Sequence, residues 1–227
     1  MNSANKSFTA SRIAAYLCAV CFVVGFVMIF YIEPGINLNP HQRLAFILSN
    51  GRYFQLWYST IFVLFGLSLL VLVNGINKLI SRRQTLTYYL SMMFGFVWGC
   101  YAIICGLIAI LSIEYLLMLP TQEQSSVWFA LYSIQIGLGD GVEWVGGCWL
   151  FTLSLHGLRH KLSQPAIHYY GLLVGLMGCV TLIPAFREAG ALFGLGQIVW
   201  FVVVGARLFE RTSNLIPSKE IRLPNNG

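Results

Sequence analysis

The chain has 227 residues, of which 57% are apolar and only 10% charged, with a mean hydropathy of +0.72. Soluble domains carry charge on about a quarter of their residues, so this composition excludes an ordinary water-soluble fold and leaves no room for a separate soluble domain. The net charge of +6 does not point to nucleic acid, because the Lys and Arg residues gather beside the apolar runs, where they set orientation.

Apolar runs near membrane-spanning length recur along the chain. They predict an all-α integral membrane protein, a six-transmembrane-helix bundle with spans over 13–32, 56–79, 87–113, 127–155, 169–184 and 189–209. A β-barrel would show short alternating segments instead. Lys6 and Arg12 precede the first run, but it is too long for a secretory h-region and no small-x-small site follows, so it reads as a retained span.

In the first outer loop Asn39 can cap a helix, Pro40 suits its first position, Leu44 to Leu48 is apolar and Gly51 can end it. A short helix lying at the outer interface is expected there. Lys and Arg on the alternate sides divide eleven to three, with Arg43, Arg52 and Arg187 the minority. Positive residues stay inside, so both termini are expected in the cytoplasm and the location is the cytoplasmic (inner) membrane. The organisation is a tail over 1–12, the six-helix domain over 13–209 and a polar tail over 210–227.

All six cysteines fall inside predicted spans, so outer-loop disulfides are not expected. Cys18 and Cys21 have a redox or metal spacing but no histidine nearby, and read as small packing residues. The pairs Gly95/Gly99, Gly137/Gly141, Gly171/Gly175 and Gly190/Gly194 put two glycines on one helix face, where backbones can approach closely.

Asp140 and Glu143 are the exception to this apolar pattern. They are the only charged residues in the predicted fourth span, and Asp140 lies roughly 20 Å along it from residue 127. That depth is near the centre of a hydrocarbon core about 30 Å thick. Ionisable groups buried there line a polar path or a site, or pair with something. An i, i+3 spacing puts both carboxyls on one face, and two so close in a low dielectric do not both ionise. The expectation is a proton- or cation-binding pair. Gly137, Gly139 and Gly141 would let the helix unwind beside it, and Trp98, Trp144, Trp200 and Gln197 would line the site. Alternatively the acids hydrogen-bond to Gln135, Gln197, Asn74 or Tyr101 for assembly alone.

His156 and His160 have an i, i+4 zinc-type spacing, with His168 a third candidate. Pro165 between them and the lack of a nearby carboxylate argue against a metal. No phosphate loop, nucleophile elbow or His-Glu-x-x-His pair occurs, so neither a cofactor nor a catalytic set is expected. Three function classes remain. The first is a small carrier or ligand-responsive bundle taking a small cation or lipophilic ligand. The second is a non-catalytic subunit bound to another membrane protein or to a second copy, and the third an intramembrane enzyme acting on a lipid or quinone. The lipid bilayer is the one partner common to all three.

Overall fold

The computed structural model describes residues 3–32, 38–81, 84–162 and 164–214, without the side chains at 3–7, 32, 136, 139–141 and 208–214. Every regular element among them is helical. Helix α1 (Ser3–Val27) continues into a wide π turn at Met28–Ile32. Two short helices follow, α2 (Pro40–Ser49) and α3 (Gly51–Tyr58). A second π segment (Ser59–Leu64) joins α3 to α4 (Phe65–Ile80). The remaining helices are α5 (Leu86–Met118), α6 (Thr121–Arg159), α7 (Pro165–Val180) and α8 (Ala189–Asn214). The predicted tail at 210–227 lies outside the described residues beyond Asn214.

The expected short helix is present and starts as its sequence dictates. Asn39 Oδ1 accepts from the Gln42 N–H at 2.9 Å, and Pro40 takes the first helical position, where no N–H is needed. Its end differs from expectation. Asn50, not Gly51, closes α2, and Gly51 opens α3, packed against Ile113. The fifth predicted span also ends early: α7 stops at Val180, and Pro184–Phe186 forms a single tight 3-10 turn. Proline has no N–H to continue the α7 ladder. At the opposite end, the link from α6 to α7 turns through left-handed backbone at Lys161 and Gln164.

Four helices among the described residues have the length and composition to cross a membrane: Phe8–Tyr31, Gly51–Ile80, Leu86–Met118 and Ala189–Arg207. Pro165–Val180 is a shorter apolar helix. Together with α6 these helices close a ring, in which α1 packs on α4, α4 on α5, α5 on α6, α6 on α7, α7 on α8, and α8 back on α1. Its outer surface is apolar, as on α8, where Leu192, Leu195, Val199 and Val202 form an exposed stripe with helical periodicity. A lipid environment makes such a stripe stable, and the chain is an all-α membrane protein.

The inside of the ring is an aromatic core centred on Trp98. Its ring lies 5.2 Å from Phe65, 5.5 Å from Trp149, 6.0 Å from Phe193 and 6.4 Å from Phe201. A second core, built on Leu44, Ile47, Phe54, Ile113, Leu116 and Trp128, joins α2 and α3 to the far halves of α5 and α6. Across it Trp128 donates to the Pro40 carbonyl, and the Arg43 guanidinium lies over the Tyr132 ring. With 39 residues, α6 is about 58 Å long and takes part in both cores.

Candidate functional site

Helix α6 runs unbroken from Thr121 to Arg159, so Gly137, Gly139 and Gly141 do not interrupt it. The expected unwinding is not seen: a continuous helix satisfies its own backbone hydrogen bonds in lipid. Gly137 is exposed, with open space where a side chain would sit. The side chains of Asp140 and the backbone surroundings of Gly139 and Gly141 lie outside the described residues.

Glu143 is half-buried, and its carboxyl rests directly on Gly190 in the first turn of α8. A methyl group at Gly190 would overlap it, so only glycine allows this approach. Aligned peptide dipoles make a helix N-terminus favourable to a negative group. One turn from the end of α7, Gly178 fits against the Glu143 carbonyl and the Phe193 ring. Glu143 therefore sits level with the connection between α7 and α8, with 22 residues of α6 between it and the start of that helix.

Beside Glu143 opens a cavity of about 1210 Å³. Aromatic side chains dominate its walls, among them Phe22, Phe26, Phe65, Trp98 and Phe193. Arg187 and Glu188, from the connection between α7 and α8, supply the other charges on its lining. Both π segments border it, through Ile29 and Phe30 on one side and Ile61 and Phe62 on the other. Such wide turns are frequent at functional sites. The π turns were not legible in the sequence.

The other residues expected at the site divide. Trp98 is fully buried and forms part of the cavity wall. Gln197 is fully buried too, with neither end of its amide bonded to a protein group among the described residues. Phe193 and Phe201 sit one turn either side of it, and both touch Trp98, which places Gln197 beside that indole. Trp200 packs edge-on against Trp149 at 5.3 Å, away from the cavity. Trp144 meets Phe94 at 6.4 Å and does not line it either. Asn74 is exposed on α4.

The histidines gather at the opposite end of the ring. His156 is fully buried, 4.5 Å from the His160 ring, and its Nδ1 lies 3.2 Å from the Thr87 hydroxyl and 3.3 Å from that of Thr85. The His168 ring fills the space over Gly157. His156 lies beyond the predicted fourth span, and burial, then His160 and His168, push its pKa down to about 4. Burial lowers that of His168 as well. No three His, Cys, Asp or Glu residues among the described ones are arranged to hold a metal.

No family model matches the chain, and no solved structure matches it. A stretch of 80 residues, 34% of the chain, is 36% identical to the L-cysteine:1D-myo-inositol 2-amino-2-deoxy-alpha-D-glucopyranoside ligase of Streptomyces avermitilis. That stretch spans 19% of the ligase, too little to carry its activity to this chain.

Proposed function

We propose that the chain is a small multi-pass carrier or ligand-responsive bundle of the cytoplasmic membrane, with six spans and both termini inside. In this reading the aromatic cavity takes a lipophilic ligand, and Glu143, together with Asp140, binds a proton or cation at its edge. The observation that carries it is the Glu143 carboxyl standing at the wall of a large apolar cavity, against the first turn of α8. An apolar pocket with a few polar groups converging on it is the usual form of a small-molecule site. Protonation removes charge from the α6–α8 contact and loosens its hold on the helix terminus. Ionisation restores that hold and favours a cation in the cavity, where aromatic faces add cation–π attraction.

The test is a melting series on the purified protein in detergent, from acid to alkaline pH, with Na⁺, K⁺ or tetraphenylphosphonium. A ligand held only by the folded state at 100 times its Kd adds about 2.7 kcal/mol of stability. Stabilisation of the wild type that disappears in Glu143→Gln and Asp140→Asn is the expected result. Equal melting of all three proteins under every condition removes the reading.

A further inference from the structure

The helices of the ring differ in reach. Helix α7 has 16 residues, about 24 Å, whereas α5 and α6 have 33 and 39, about 50 and 58 Å. Gly95 and Trp98 of α5 pack on Trp149 and Gly146 of α6, so these two helices run antiparallel and Glu143 stands level with Tyr101. Exposed Leu107 and Leu111 lie roughly 9 and 15 Å further along α5, so the apolar outer surface continues past the α7–α8 connection. Further along, α6 is covered by α2, at Tyr132 and Trp128. Between Glu143 and Tyr132, a rise of roughly 16 Å, Ser133, Ile134 and Gly137 are exposed. Among the described residues nothing fills the space over Gly137. Around the ring, α7 and α8 stand between α6 and α1. Where they stop, a side window opens.

The sill of this window is the connection itself, where Leu182, Ile183 and Phe186 are exposed beside Arg187 and Glu188. Three large apolar side chains exposed together are stable against lipid, not against water. The cavity reaches the window, since exposed Phe30 and Phe186 line it together with Glu143.

We propose that the cavity takes a long-chain amphiphile with a cationic head, drawn sideways from the bilayer through this window. The proposal rests on the reading of the cavity as a ligand site and names what fills it. At about 1210 Å³ the cavity exceeds the roughly 300–1,000 Å³ of sites for drug-sized molecules, and Phe22, Phe65 and Trp98 give it apolar walls, so a long chain fits. Lipid tails are as apolar as leucine, so a chain gains little by leaving the bilayer, and the head decides what is held. Among the described residues the charges on the lining are two carboxylates, Glu143 and Glu188, and one guanidinium, Arg187, a balance of −1. On the α1 side stand Phe26 and Phe30, stacked 5.8 Å apart. An ammonium head there meets net negative charge and aromatic faces, whereas a sulfate or phosphate head meets an excess of like charge. The chain then points inward, toward Trp98.

The experiment is photolabelling in liposomes with hexadecyltrimethylammonium carrying a mid-chain diazirine, the adducts being mapped by mass spectrometry. Unlabelled hexadecyltrimethylammonium and hexadecyl sulfate are the competitors. Glu143→Gln and Glu188→Gln are compared with wild type, and the second, at an exposed position, keeps the test open if the first does not fold. Adducts should fall on Phe22, Phe65 and Trp98 and drop several-fold in the variants. The unlabelled cation should suppress them at a concentration roughly tenfold below that needed with the sulfate. Adducts confined to the exposed stripe of Leu195, Val199 and Val202 overturn the proposal, as do equal competition by the two amphiphiles and undiminished labelling in both variants. A melting response to Na⁺ or tetraphenylphosphonium without cavity adducts also overturns it and leaves the carrier reading standing. Cavity adducts that compete as described, without any melting response to those cations, support the chain site and remove the small-cation site.

Discussion

The carboxyl of Glu143 and the α-carbon of Gly190 are in contact across α6 and α8, with no room for a methyl group between them. This contact ties the one described acid of the α6 interior to the start of the last helix. Substitution at Gly190 therefore tests the site without touching the acid. Gly190→Ala should destabilise by about 1–3 kcal/mol, the usual cost of overpacking, and should weaken the cation response. Gly137→Ala is its control, since open space lies there; stiffening the unfolded chain should make it neutral or about 0.4–1 kcal/mol stabilising. Reversible unfolding in mixed micelles measures both, and equal losses in the two variants would falsify the close-contact account.

Glycine at 147 is needed for a different reason. A side-chain carbon there would strike the backbone of Gly178 and Cys179, atoms that cannot rotate away. Gly147→Ala should thus force α6 and α7 apart and cost about 3 kcal/mol or more, the upper range for overpacking. Gly25→Ala, whose nearest neighbour is Ile61 at 3.7 Å, should melt close to wild type. Similar melting of these two variants contradicts the packing described.

The same close approach brings Cys148 and Cys179 to an Sγ–Sγ distance of 3.8 Å, both reduced. A short movement brings them to bonding distance, so copper–phenanthroline should join α6 to α7 within one chain. Mass spectrometry of peptides cut between the helices should find the 148–179 bridge, absent in Cys148→Ser. Cross-linking of Cys18 to Cys21 in its place would mean that the α6–α7 contact is looser than described.

Acid should weaken the inner end of the ring. Burial, then His160 and His168, hold His156 down at about 4, against 6.5 for an unperturbed histidine. Between those values the unfolded chain binds a proton that the folded chain refuses, so stability is complete above 6.5 and declines as pH falls toward 4. His168, lowered by burial, adds to the same slope. Melting temperatures across this window should drop less steeply in His156→Gln. An identical slope in that variant assigns the acid sensitivity to other groups.

Much of the framework can be read from hydropathy and end signals. The apolar runs mark the long helices because lipid forces every backbone group into a helix, and Asn39 with Pro40 marks the start of α2 by local chemistry alone. Where the ends moved, the cause was tertiary. Gly51 became a helix start because Ile113 packs on it, and α6 starts six residues before its apolar run, where Gln124 donates to the Leu116 and Leu119 carbonyls at the end of α5. The site was half legible. Glu143 and Trp98 stand out as a charge and a large ring far from water, but their meeting across the cavity depends on how α5, α6 and α8 close the ring. That closure leaves no periodic signal in any single helix. Trp144 and Trp200 look the same as Trp98 in sequence, and only packing separates them.

Because α1 completes its circuit against α8, the seam between them stays open until the final helix has been synthesised. During that interval Trp98 and the cavity wall face lipid or a membrane chaperone instead of Phe193 and Phe201. Newly made chains therefore pass through a stage in which an aromatic cleft bordered by Glu143 is open to the bilayer, and α8 acts as the closing stave of a cask. Ribosome-arrested chains stopped before α8 should be degraded faster than complete ones, and supplying α8 as a separate peptide should protect them.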